Sequence, residues 1–486
     1  MRLRPPPPLV PLAILGGALV LTQLAPAGVL GAPTVQRSRP PVTALGTLAQ
    51  LGGPSGCLAD RSKSRRGCTP VRALRGPAPF LGSNALAISR DGKNVYVAAS
   101  RSDAIAVFRR NARTGKLTQR SGTAGCIAAK GAGGCAEARG LNGPNSVAVS
   151  ADGKNVYATS LISDAVTTFR RKPSTGALTQ ARGGSGCIAN GAVPGCAAGR
   201  ALDGPDVVTV TPDGDNVYVG AFFGDAVAAF ARDASTGALT QPSDTTGCIV
   251  NAPTDGCATG LALGAPEGMA ISADGNNVYV ASAASNALGV FTRNPSTGAL
   301  TQATDGTGCI VNSPLAGCTT GTQLGGANAV AVSSDDEDVY LTSRLSQSLT
   351  TFNRAPSTGQ LTQQTGTSAC VIYVLAVGCS LGRAFSGPEG LAVSSDGASV
   401  YAAAFKSGAV DVFNRNTGSG ALIQKSRRPG CMTRRTPDCG RGRALRGVSS
   451  VAVSPDGKHL YSGSFESNAV GVFKRVTRAG PQGNGG

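Results

Sequence analysis

Tryptophan is absent from this chain of 486 residues, aromatic side chains make up only 4% of it, and histidine occurs once. A core built with so few rings must be filled by valine, alanine, leucine and isoleucine. The single histidine, His459, lies in the turn-like stretch "PDGKHLY", so neither a Ser-His-Asp nor a Cys-His catalytic arrangement is on offer. Charged residues are scarce, at 15%, which suits neither a coiled coil nor a helical solenoid. No Gly-rich phosphate loop precedes a helix pattern. No second long apolar run follows the N-terminal one, so the body of the chain has no membrane-spanning helix. Aromatics do not interleave with the basic residues, which speaks against nucleic acid as a partner. What is abundant is glycine (68), proline (29) and apolar residues (41%), the profile of an all-β protein with many turns.

The N-terminus reads as an export signal over residues 1–27. Arg2 and Arg4 precede an apolar run from Leu9, and Ala25-Pro26-Ala27 is a small-residue cleavage pattern. An uncleaved membrane anchor is the competing reading. Either way the body lies outside the cytoplasm. Residues 28–45 are expected to be a disordered leader and 476–486 a disordered tail.

Between them runs a repeat. "PNSVAVSADGKNVYATS" from Pro144, "PDVVTVTPDGDNVYVGA" from Pro205 and "PEGMAISADGNNVYVAS" from Pro266 belong to one series. The unit recurs from Ser83, Ala327, Pro388 and Val448. Tyr96, Tyr157, Tyr218, Tyr279, Tyr340, Tyr401 and Tyr461 mark one register, and Phe108, Phe169, Phe230, Phe291, Phe352, Phe413 and Phe473 mark another. A ring at one slot in every unit is core packing. Each unit carries four strand signals, the first two joined in six of the seven units by Asp-Gly, a strong hairpin signal. Seven such units in series predict an all-β, seven-bladed β-propeller over residues 46–475, with four antiparallel strands per blade. The seventh unit stops after its third strand near Arg475. "GTLAQLGGPSGC" from Gly46 matches the missing end, so the N-terminal segment is expected to complete blade seven and close the ring.

Fourteen cysteines form seven pairs: Cys57/Cys68, Cys126/Cys135, Cys187/Cys196, Cys248/Cys257, Cys309/Cys318, Cys370/Cys379 and Cys431/Cys439. One pair sits in each link between an outer strand and the next blade. An even count at regular spacing in an exported chain reads as disulfides. Zinc competes poorly, since the spacing is wide and no histidine accompanies it. Propeller topology puts these seven clipped links on one face, together with the loops between second and third strands, and loops on a rigid scaffold are where binding resides.

Two candidate sites follow. The first is electrostatic. The link from Cys57 to Gly76 holds Arg61, Lys63, Arg65, Arg66, Arg72 and Arg75 against one acid, Asp60. The link from Lys425 to Arg446 holds Arg427, Arg428, Arg434, Arg435, Arg441 and Arg443 with its two terminal basic residues, against Asp438. Both flank blade seven. They make a basic patch suited to an anionic polysaccharide, an envelope phosphate or an acidic extracellular protein; a solubility feature is the plainer reading. The second is the channel mouth, where each first strand begins on a polar residue: Asn84, Asn145, Asp206, Glu267, Asn328, Glu389 and Ser449. Such an oxygen-rich ring suits Ca²⁺ or another divalent cation; hydration of the channel and capping of strand ends is the alternative. A third set, Asp103, Asp164, Asp225, Asn286, Gln347, Gly408 and Asn468 before each third strand, reads as turn stabilisation.

The unit "DGKNVYVA…DAIAVF.R…TGKLTQ" resembles the YVTN-type repeats of the lactonase-like seven-bladed propellers, which include 6-phosphogluconolactonase-like and carboxymuconate-cyclising proteins. The resemblance covers Gly46 to Arg475. It implies the propeller fold and, by analogy with gluconolactonase-like propellers, a cation-assisted lactone hydrolysis through Asp206, Glu267 and Glu389. Two functions are therefore carried forward. One is a secreted, monomeric binding or scaffold propeller whose basic loop face engages an anionic partner. The other is a lactonase-like hydrolase.

Overall fold

The computed structural model describes residues 45–63, 67–77, 84–253, 256–434 and 436–477. The expected signal segment and nearly all of the leader and tail lie outside the described residues. Asp-Gly turns, β-branched runs and alternation give the chain seven sheets in succession. In blade three the first strand, Pro205–Val210, pairs antiparallel with Asn216–Ala221, which pairs with Ala226–Arg232. The fourth strand is split. Leu239–Thr240 and Cys248–Val250 both pair with the third strand, on either side of a short 3-10 turn. A fifth element, Ala258–Thr259, then runs parallel to the second piece. This short parallel strand is an addition to the expected four. It exists because the disulfide Cys248–Cys257 folds the link back onto the strand it has just left.

All seven cysteine pairs are bridged as expected, with Cα–Cα distances of 4.7 to 4.9 Å. Disulfides of this number belong to extracellular or periplasmic proteins. Among the described residues no helix is long and apolar enough to cross a membrane.

The core lies between blades. In the second strand of blade two, Val156 and Ala158 pack toward blade one and Tyr157 toward blade three. Both faces are buried, so each strand is apolar nearly throughout. Seven such clusters, one for each neighbouring pair, complete the circle. The last joins Tyr461 and Val470 of blade seven to Val95 and Phe108 of blade one. The N-terminal segment closes the ring: Leu48–Gln50 and Cys57–Asp60 pair with Ala469–Arg475.

At the turn end, an arginine closing each third strand ties its blade to the one before. Arg232 donates from Nε to the Tyr157 hydroxyl (2.8 Å), from Nη1 to the Gly214 carbonyl (2.9 Å) and from Nη2 to Asp152 (2.7 Å). The Tyr157 hydroxyl donates onward to the Gly237 carbonyl (2.9 Å). Arg110, Arg171, Arg293, Arg354, Arg415 and Arg475 repeat the pairing with a turn aspartate. At the closure, Tyr401 donates to the carbonyl of Gly46 (2.7 Å), so the N-terminal segment supplies the turn glycine of blade seven as well as its strand. His459 occupies one slot of this network. Its Nδ1 lies 2.8 Å from Arg110 Nη2, and burial together with that guanidinium lowers its pKa to about 4, so it is a neutral acceptor at the turn end.

Candidate functional site

The start of each third strand pairs with the end of the fourth, as in Ala226↔Val250. The loop after each second strand hydrogen-bonds the next first-strand approach, as in Phe222 N to Gly204 O at 2.8 Å. The clipped links, the short loops and the first-strand entrances therefore share one end of the ring.

At that end, five of the six expected ligand residues, Asn145, Asp206, Glu267, Asn328 and Glu389, are buried, as is Ser449; Asn84 is half-buried. The structure joins them as neighbour pairs. Asn145 Nδ2 donates to Asp206 Oδ1 at 2.6 Å. Asn328 Nδ2 donates to Glu389 Oε2 at 3.2 Å and to the Pro388 carbonyl at 3.1 Å. Glu267 takes a bidentate pair from Arg344, with both contacts at 2.6 Å. Sequence reasoning missed Arg344, although a signal was there. The residue following the second strand is Ser100, Leu161, Phe222, Ala283, Arg344, Phe405 and Phe465 around the ring, and Arg344 is the one charged residue in that series.

Three acids around one arginine leave an excess of negative charge in a dry place. Burial raises Glu267 to about 7, with Arg344 offsetting part of the cost. Burial also raises Glu389 to about 8, where Glu267 adds to the rise and Arg344 and Lys406 oppose it. Asp206 is held well above the usual carboxylate range by burial and by Glu267, and its Oδ2 is buried with no hydrogen-bond partner among the described residues. Arg344, 18% exposed along its side chain, is the member that faces water most. Such a cluster can exchange protons near neutral pH and hold a polarised oxygen beside a fixed positive charge. Among the described residues no group of three or more His, Cys, Asp or Glu side chains is arranged to hold a metal ion.

The basic residues divide into two kinds. Arg61, Arg427, Arg428, Arg434 and Arg441 are exposed. Arg443 is instead a staple: its guanidinium donates to the carbonyls of Gly53 (2.6 Å) and Gly67 (2.9 Å) in the next link. Arg72, Arg139, Arg200 and Arg383 do the same one or more blades away. The staple sits beside a clasp in which Gln50 accepts from Arg443 N and donates to its carbonyl. Arg65, Arg66, Arg435 and the side chain of Lys63 lie outside the described residues. In the third set, Asp103, Asp164, Asp225, Asn286 and Asn468 each accept from the backbone of the next link, for example Gly143 N to Asp103 at 2.8 Å. They anchor loops and leave the mouth to others.

Known proteins similar to this chain bear on the fold. No curated protein matches it. The periplasmic gluconolactonase of Pseudomonas aeruginosa superposes with a TM-score of 0.50 at 16% identity, covering 82% of this chain and 96% of that one. Hydrazine synthase of Kuenenia stuttgartiensis superposes at 0.52 and 16%, covering 85% and 100%. A protein of unknown function from Desulfotomaculum acetoxidans does so at 0.50 and 16%, covering 79% and 92%. At such identities the likeness is one of fold. The family model for the lactonase seven-bladed β-propeller matches residues 129–257, 203–314 and 311–434. With more than half of its length matched, this chain belongs to the lactonase seven-bladed β-propeller family.

Proposed function

We propose that the protein is an exported hydrolase that opens a lactone ring at the mouth of the channel. The observation that carries this reading is the set of buried carboxylates with raised pKa gathered around Arg344. Membership of the lactonase family supports it. Arg344 receives the lactone carbonyl oxygen and stabilises the negative charge that grows there. Glu389 in its ionised form takes a proton from water, whose oxygen adds to the carbonyl carbon. When the ring C–O bond breaks, the proton passes to the departing alkoxide, giving a hydroxy acid and restoring Glu389. Because Glu389 ionises at about 8, the rate rises with pH through that value. For a divalent cation to sit among Asp206, Glu267 and Glu389, Arg344 would have to leave Glu267. The arginine is therefore the cationic group of this mechanism. The test is the initial rate of ring opening across a panel of γ- and δ-lactones. Glu389→Gln and Arg344→Met are each expected to lower turnover by about a hundredfold or more. Turnover that survives Glu389→Gln, or that EDTA abolishes and Ca²⁺ restores, would sink the mechanism.

A second reading is favoured by a separate observation. Arg428, Arg434 and Arg441 line one concavity of about 410 Å³ on the loop face, which supports binding of an anionic partner. Retention on an anionic matrix at moderate salt should disappear on reversing the charge of Arg434 together with Arg65 and Arg435. Unchanged retention would remove this reading.

A further inference from the structure

Eleven large apolar side chains are exposed among the described residues, and all but Leu45 and Ile423 stand on the loop face. Three top the short loops: Ile162 (65% exposed), Phe223 (61%) and Leu345 (71%). The densest group is the clipped link of blade five, "CVIYVLAVGC", where Val374, Leu375 and Val377 are 61, 75 and 105% exposed. Corresponding links read "CIAAKGAGGC", "CIANGAVPGC" and "CIVNAPTDGC", small and polar, so the scaffold does not require an apolar tip. Water-exposed apolar side chains gathered at one end of a molecule mark an interaction surface.

The next link round the ring is the basic one. Arg383 fastens the two together by donating to the carbonyls of Lys425 (2.5 Å) and Arg427 (3.2 Å). Beside the apolar tip therefore stand the exposed Arg427, Arg428, Arg434 and Arg441. An apolar tip flanked by cations on the same face matches the boundary of an anionic bilayer. There, acyl chains take the apolar side chains and headgroup phosphates take the guanidinium groups. The disulfide Cys370–Cys379 holds the tip in shape, which lowers the ordering cost of insertion.

We infer that the protein docks on an anionic lipid surface through its loop face, with Val374, Leu375 and Val377 entering the interface and the blade-six arginines holding the headgroups. This rests on the anionic-partner reading above and names the partner. Since the chain has no tryptophan, Leu375→Trp gives a lone reporter at the tip. Its emission is expected to shift to the blue on vesicles of phosphatidylcholine with phosphatidylglycerol, and to shift little on phosphatidylcholine alone. In flotation with the anionic vesicles, the triple change Val374→Ser, Leu375→Ser, Val377→Ser should lower partitioning by about tenfold or more. Arg428→Glu with Arg434→Glu and Arg441→Glu should do the same and remove its salt dependence. An unshifted emission, or partitioning indifferent to the serine changes, overturns the inference. If the protein binds dextran sulfate but not the vesicles, the anionic-partner reading stands and the lipid surface is wrong. If it binds neither, both fall. Self-association by light scattering that the serine variant disperses would assign the face to a second copy, and also overturns it.

Discussion

The two ends of the ring both bury charge, and they do so in opposite ways. At the turn end each third-strand arginine meets a turn aspartate of the preceding blade, and the pattern repeats seven times. Partial burial there works against the acid, but hydrogen bonds from Ser150, the Lys154 backbone and Arg232 outweigh it and hold Asp152 at about 2. At the channel mouth the acids outnumber the single arginine. Burial wins, and Glu267 and Glu389 rise to about 7 and 8. The same residue types build a repeated brace where charges are matched and a cluster of acids with raised pKa where they are not. Repetition marks the first kind and irregularity the second.

The largest test of this contrast is to remove one arginine from each end. Arg232→Met takes away the partner of Asp152 and of the Tyr157 hydroxyl, and should cost roughly 3 kcal/mol in chemical denaturation. That is the low end for a buried pair because Asp152 stays partly wet. Arg344→Met should cost much less, because the neighbouring acids can remain protonated. Equal losses would erase the distinction. Next in size is the comparison of two loop arginines. Arg443→Ala, which uncaps the carbonyls of Gly53 and Gly67, should cost about 1–2 kcal/mol. Arg434→Ala, at an exposed position, should stay within about 0.5 kcal/mol. Third comes Tyr157→Phe, which removes one buried hydroxyl from the turn-end network and should cost about 1 kcal/mol.

The smallest effect is the most diagnostic, because the two ends should respond to pH with opposite sign. An acid whose pKa is raised on folding stabilises the protein fully below its unfolded value, about 4.3 for glutamate. It gives that up as pH climbs through the folded value. The channel mouth should therefore lower the melting temperature between about pH 5 and 8, and Glu389→Gln should flatten that decline. For Asp152 and Asp456, both held at about 2, the contribution is present above about pH 4 and fades as pH falls toward 2. A Glu389→Gln profile that matches the wild type above pH 5 would contradict the assigned ionisation.

The fold could be read from the sequence because each of its elements is written seven times. The Tyr and Phe registers and the cysteine pairs recur in every unit, and the Asp-Gly turn in six of the seven. Even the closure was visible, since "GTLAQ" repeats "GALTQ". The third-strand arginines also recur, but their partners in the preceding blade lie 74 to 80 residues away, or 346 to 351 across the ring closure, beyond any local pattern. Arg344 was hidden for the opposite reason. It occurs in one blade only, and its partner Glu267 is 77 residues distant. A residue count placed Arg443 in the anion-binding patch. What separates it from Arg434 is a set of backbone carbonyls that only the folded link presents.

The pairing of Leu48 with Arg475 joins residues from nearly opposite ends of the chain. A contact so remote in sequence is about as non-local as this fold allows, and such contacts are slow to form because the loop must close before they reward it. Blade seven cannot close before Ala469–Arg475 is there to pair with the N-terminal segment, so the ring remains an open arc until that strand arrives. Until then the Tyr401 and Val412 side of blade six and the Val95 and Phe108 side of blade one stay bare to any other chain nearby. Closure is thus also the step that ends the molecule's exposure to misassembly.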